Sequence, residues 1–247
     1  MMQPALPPPH GTPYHPSLRM SSADLSLTSA MVAIAAMTAG SAFQAALGIG
    51  MALFVVPVLA LLDPRFVPGP MLLAGSLLAT ITAYAERQAI DRKGLGISLV
   101  GLVLGTVIGA VALHFAAGPN VQRVFGALVL AAVLLSLFGT PLAMTRRNLL
   151  IGGGAAGIMG TMVGIHGPPI SLVFQRAEPS VARAMLGAFF TVAYLGSVAA
   201  LSTVGLFGQG EILRTIVLLP GVGAGSRWRR SPAASSIRDA CAGRYSR

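Results

Sequence analysis

Acidic side chains are almost missing from this sequence. Seven Asp and Glu stand among 247 residues, and charged residues of both signs make up only 10%. A soluble domain carries about a quarter charged residues, so this chain cannot cover a globular surface with polar groups, and water is not its main solvent. Carboxylates this sparse offer no cluster for metal-assisted hydrolysis, and no HExxH sequence occurs. The single cysteine, Cys241, excludes an internal disulfide and leaves no Cys/His spacing suited to zinc. A Walker-type glycine loop is missing too, so ATP is not expected to bind. Neither a cofactor nor a metal is expected.

What fills the chain instead is apolar. Hydrophobic residues make up 54%, and the mean hydropathy is +0.76. No charged residue interrupts Leu25–Leu62, Phe66–Ala85, Gly94–Gln122, Val124–Thr145, Asn148–Gln175 or Ala184–Gly210. Each can hold the roughly 20 apolar residues of a spanning helix. A seventh stretch, Thr215–Ser226, is too short. The fold class expected is all-α: a polytopic transmembrane helical bundle, multi-pass in the inner (plasma) membrane, with the lipid bilayer as its surroundings. The formal charge of +10 would suggest nucleic acid in a soluble protein. Here the arginines sit mainly in short loops and in the tail, where they set topology; nucleic acid is not an expected partner. If each interval is one crossing, Glu86–Lys93 and Thr140–Asn148 face the cytoplasm, while Arg65, Arg123, Arg176 and Arg183 lie opposite. Leu25–Leu62 is also long enough for a hairpin.

Composition divides the chain. Residues 1–24 form a Pro-rich extension with the signature of disorder, and Met20 is a plausible natural start. Residues 25–138 form a first transmembrane repeat, 139–148 a cytoplasmic linker, and 149–225 a second, incomplete repeat. Residues 226–247 are a basic disordered tail, for which a frameshift is one reading. The repeat rests on ordered pairs: Ala39-Gly40 with Ala156-Gly157, Gly50 with Gly167, Asp63-Pro64 with Glu178-Pro179, and Leu102–Ala110 with Val217–Gly225. Secondary transporters commonly contain such repeats and bind substrate where they meet. Gly101, Gly105 and Gly109 form a small-residue stripe for close helix packing in lipid.

The stretch Gly164–Ser171 reads GIHGPPIS, in the fifth charge-free interval. Glycine and proline are poor helix interior residues, and a histidine in hydrocarbon is costly. The helix should therefore break near the bilayer midplane, where irregular backbone is tolerated only against protein or a wet cavity. Pro168-Pro169 suit the first turn of a following helix, whose start is an anion site. His166 sits at its mouth. In the first half Gly48 and Gly50 precede Pro57 in the same order. The candidate substrate-binding residues are Gly48, Gly50, Gly164, His166, Gly167, Pro168 and Arg183, the last as an arginine that draws an anion inward. Gln44 and Thr161 are further polar residues on these segments; either can bond a helix carbonyl.

GIG with a downstream proline, then GIHGPP followed by a loop and ARAMLGAFF, resemble the TauE/SafE sulfite exporter family of membrane permeases over about Ala30 to Gly225. The resemblance implies paired four-helix halves and transport of sulfur-containing anions, such as sulfite or organosulfonates. The partner expected is thus a small anionic substrate; assembly with copies of itself is left open. Two other classes stand beside a secondary carrier. An intramembrane hydrolase would need a nucleophile and base in reach, with Ser171 and His166 the nearest pair but no GxSxG. A membrane scaffold would need no intramembrane breaks.

Overall fold

The computed structural model describes residues 27–47, 51–115, 120–203 and 205–228. The Pro-rich extension, Gly48 and Gly50, and the basic tail from 229 onward lie outside the described residues. Among the described residues there are nine α-helices and no strand: α1 Leu27–Leu47, α2 Ala52–Leu62, α3 Gly69–Ala85, α4 Arg92–Phe115, α5 Asn120–Phe138, α6 Arg146–Val163, α7 Gly167–Phe174, α8 Pro179–Thr203 and α9 Gln209–Trp228. Leu27–Ala45, Arg92–Ala112 and Pro179–Thr203 are long and apolar enough to cross a membrane. Val103, Val107, Ile108 and Val111 leave half or more of their surface uncovered along one side of α4. Such a patch suits lipid and not water. The protein is an all-α helical membrane protein.

Two charge-free intervals are not single crossings. Leu25–Leu62 holds α1 and α2, and Asn148–Gln175 holds α6 and α7. The helix does break at GIHGPP, but it does not continue along one axis. The chain reverses, and α7 runs back along α6, so that Gly152 faces Ile170 and Val173 while Gly160 faces the ring of His166. Beyond the end of α5, the Leu142 N–H donates to the Leu172 carbonyl at 3.0 Å, tying the returning helix to the segment before α6. In the same way α2 runs back along α1: Gly40 faces Val55, and the Phe43 and Phe54 rings meet edge to face at 4.9 Å. At 1.5 Å per residue the 11 residues of α2 reach about 16 Å and the 8 of α7 about 12 Å, too short to cross a hydrocarbon core of about 30 Å. Both are re-entrant hairpins.

Small residues set the long-helix pairs. Along α4, Gly101, Gly105 and Gly109 pass Leu150, Gly154 and Ile158 of α6 in parallel order; a methyl at Gly105 would overlap the Gly154 carbonyl oxygen. On α9, Gly221 and Gly225 pass Ile34 and Thr38 of α1, also in parallel. Helices α3 and α8 run antiparallel, with Thr80 Oγ1 and Thr191 Oγ1 3.3 Å apart and Gly75 beside Tyr194.

The reversals also redistribute the arginines. Arg183 at the start of α8 bonds Glu86 at the end of α3 at 3.0 Å. Arg176 and Arg183 thus lie on the same side as Glu86–Lys93, not opposite it as one crossing per interval requires. Arg214 lies at the opposite end of α3, where its neighbour Thr215 donates to the Pro70 carbonyl at 3.4 Å. The expected short seventh segment is corrected as well. Thr215–Ser226 lies within a 20-residue α9, about 30 Å long, because the helix extends back over Glu211 and Arg214. These two form an ion pair at 2.8 Å, which lets Arg214 sit almost wholly buried.

Candidate functional site

The site forms where the starts of α2 and α7 approach α8. After α6 the chain passes Gly164, whose φ of +75° is the left-handed conformation glycine adopts without strain. Its N–H closes the helix on the Gly160 carbonyl at 2.9 Å. Ile165 and His166 then lead into α7, with His166 at its N-cap and prolines in its first turn. The two prolines are placed as helix-start chemistry predicts, yet they have no N–H. Only Gly167 and Ile170 keep amides over the first four positions of α7, so a cradle of backbone donors is thin here and side chains must supply the polar contacts.

His166 is that side chain. It is 2% exposed. Its ring rests over Gly160, where a methyl would overlap the imidazole, and meets the Tyr194 ring edge to face at 5.5 Å. Nε2 lies 3.4 Å from Ser197 Oγ. The Ser197 hydroxyl lies 2.9 Å from the Ala193 carbonyl, to which it can donate. With its hydrogen there, its oxygen accepts from Nε2–H, which corresponds to the neutral tautomer whose Nδ1 presents a lone pair; with its hydrogen on Nε2, the other tautomer places the proton on Nδ1. Nδ1 has no hydrogen-bond partner among the described residues, and neither does the buried Tyr194 hydroxyl. Native structures leave few such groups unsatisfied, and each calls for an explanation. Tyr194 stacks on Phe190 at 5.5 Å, and its ring converges with the Met51 side chain on Gly75 of α3. Tyr194 therefore touches His166, at the head of α7, and approaches Met51, the N-cap of α2.

Beside this cluster lies a cavity of about 870 Å³, bounded by α3, α4, α6 and α8. Ser197, Gly160 and Gly164 form its wall nearest His166; the remaining lining is apolar apart from Thr106 and Thr161. The Thr161 hydroxyl is bonded to the Gly157 carbonyl, as expected of a helix threonine. Gln44 behaves differently, since its side-chain oxygen accepts from the Met51 N–H at 2.9 Å across the first turn.

Of the seven sequence-predicted residues, Gly164, His166, Gly167 and Pro168 come together at the second turn. Gly48 and Gly50 lie outside the described residues. Arg183 is not brought to this place: it is held by Glu86 and lies 14 positions, about 21 Å along α8, from Ser197. Tyr194 and Ser197 were missed. Their signal was a tyrosine and a serine three apart in an apolar span, one helical turn of one face. Ser171, the nucleophile a hydrolase would need, donates to the Pro168 carbonyl at 3.0 Å and makes no bond to His166.

A family model for the sulfite exporter TauE/SafE matches residues 32–239, most of the chain. The chain belongs to the TauE/SafE family. The family is one of membrane transporters, and the match spans both re-entrant hairpins. Comparison with curated proteins and with solved structures gives no match.

Proposed function

We propose that this TauE/SafE member is a secondary permease of the plasma membrane that moves small sulfur oxyanions, sulfite or organosulfonates, through a site at the two re-entrant turns. One observation carries this reading: His166 Nδ1 and the Tyr194 hydroxyl are both buried with no hydrogen-bond partner among the described residues, their rings meet edge to face at 5.5 Å, and a cavity walled by Gly160 and Ser197, which His166 touches, lies beside them at the head of α7. Polar groups left open inside a membrane protein mark substrate pathways by default. The helix pairing supports two inverted halves, α1–α4 and α6–α9. The first helix of each packs in parallel on the last of the other, and α3 and α8 cross-pack antiparallel. A two-fold axis in the membrane plane produces this pattern. Arginine placement supports a cytoplasmic position for the ends of α3 and α5. Arg87, Arg92, Lys93, Arg146, Arg147, Arg176 and Arg183 gather there, against Arg65, Arg123 and Arg214 opposite. Uptake of sulfite, sulfoacetate, thiosulfate and sulfate into proteoliposomes tests the reading. Counterflow of at least one sulfur anion above empty vesicles is expected. Turnover without vectorial movement would instead favour an intramembrane enzyme, and neither would favour a scaffold.

A further inference from the structure

Among the described residues no Lys, Arg, Asp or Glu lines the cavity, so none of them offers an entering anion a fixed positive charge. The elements packed against His166 present Gly160 from α6 and Tyr194 and Ser197 from α8; behind Tyr194 stand Gly75 of α3 and Met51. Among these described residues Tyr194 is the one other titratable group. The charged residues nearest along α3, α8 and α9 are already paired, Arg183 with Glu86 and Arg214 with Glu211.

Protonation decides what His166 can do. With the Ser197 hydroxyl on the Ala193 carbonyl, its oxygen takes the Nε2 proton and Nδ1 presents a lone pair, which repels an oxyanion. In the imidazolium both nitrogens donate, so Nε2 keeps Ser197 while Nδ1 takes the anion. An anion alone, or an imidazolium alone, would each leave one unpaired charge in an apolar interior; bound together they leave none.

We propose that the TauE/SafE permease described here carries its anion together with one proton held on His166 Nδ1, so that each monovalent anion crosses with no net charge moved. The proton comes from water on the entry side, bridges Nδ1 and an anion oxygen during the crossing, and returns to water on the exit side. The Tyr194 hydroxyl donates a second hydrogen bond to the anion and keeps its own proton. This rests on the permease reading above, and reciprocity follows from linkage: the anion raises proton occupancy by the same factor as the proton raises anion affinity.

The test uses the full chain in proteoliposomes, with methanesulfonate and sulfite as probes and valinomycin with potassium gradients to clamp the membrane potential. Methanesulfonate is the sharper probe, since it remains an anion in water and any accompanying proton must be carried by the protein. Methanesulfonate influx is expected to accelerate about tenfold for each unit by which the outside is more acid, below saturation, and to be unchanged by an imposed potential. His166→Gln keeps a hydrogen-bond donor but cannot hold the proton; its residual flux should become potential-driven or vanish. Wild-type methanesulfonate flux that follows the potential and ignores the pH gradient would overturn the coupling while leaving the permease reading intact. Electroneutral, pH-driven flux in His166→Gln would overturn it as well. If neither anion moves above empty vesicles, the permease reading itself falls and takes the coupling with it.

Discussion

At the turn between α1 and α2 the Met51 amide is met by the Gln44 side chain, whereas at the turn between α6 and α7 the His166 imidazole is left with an open nitrogen. The two hairpins are otherwise built alike. Each has a long helix, a short returning helix and a glycine on the long helix that takes a side chain of the second segment, Val55 on Gly40 in one and His166 on Gly160 in the other. The short helices start in similar backbone, with Met51 at φ −66° and ψ −18° and His166 at φ −89° and ψ −20°. What differs is the side chain at the N-cap and whether polar groups nearby are satisfied. A re-entrant turn is therefore not a site by itself. At the start of α2 the Met51 amide is satisfied by a glutamine; at the start of α7 the histidine keeps a hydrogen-bonding group without a partner among the described residues.

The two receiving glycines break this comparison most sharply. A methyl at Gly160 would displace the imidazole, while a methyl at Gly40 would press on a Val55 methyl. Gly160→Ala should reduce sulfur-anion flux by roughly 100-fold, since displacing a site group by an ångström can cost that much. Gly40→Ala should lower stability by about 1–3 kcal/mol through overpacking, with flux per folded molecule nearly retained. Flux assays beside thermal unfolding in one detergent separate the two. Equal flux in both variants would mean that neither turn is specialised.

Removing the imidazole altogether has a smaller expected effect, because the cavity and the Tyr194 hydroxyl remain. His166→Ala should lower flux about 10–100-fold, the value of one charge-assisted hydrogen bond of roughly 1.5–3 kcal/mol. Membrane insertion should be unaffected. Unchanged flux at every pH would return His166 to a packing role.

Much of this was legible in the sequence, for identifiable reasons. The lack of charge in long intervals gave an all-α membrane fold, because hydrocarbon leaves helices few alternatives. The break at Gly164–Pro168 was legible from glycine and proline chemistry alone. Its geometry was not. A charge-free interval has the same composition whether its second half continues or turns back, so the reversals of α2 and α7, and with them the side taken by Arg176 and Arg183, depended on tertiary packing of Gly40 and Gly152. The start of α9 was hidden for a related reason: Glu211 and Arg214 look like a boundary until their mutual pairing is known. Tyr194 and Ser197 carry no motif, and only the reversal of α7 brings His166 against them.

Gln44 provides the counterpart test on the closed turn. Gln44→Met keeps the length of this nearly buried side chain but removes the acceptor for the Met51 N–H. A buried donor left unpaired costs about 1–3 kcal/mol, so the variant should unfold at a lower temperature. Flux from the folded fraction should stay within about twofold of wild type, since no substrate contact is assigned to this side chain. A loss of flux as deep as that of His166→Ala would make the Gln44 side chain itself part of the substrate path.

The mildest change sharpens the comparison from the open side. Tyr194→Phe deletes one oxygen and leaves the ring free to keep its 5.5 Å stack on Phe190 and its edge contact with His166. No protein group among the described residues loses a partner, because the hydroxyl has none. If Tyr194 serves packing alone, the variant should be more stable by about 1 kcal/mol, since a buried hydroxyl without a partner is removed, and transport should not change. If the hydroxyl is kept for the anion, the same gain in stability should come with weaker binding. One neutral hydrogen bond of about 1 kcal/mol corresponds to an apparent KM raised roughly fivefold. Thermal unfolding and concentration-dependent flux, measured on one preparation, distinguish the cases. Greater stability with weaker binding is expected of an open group held for a ligand, and no purely structural tyrosine would produce that combination.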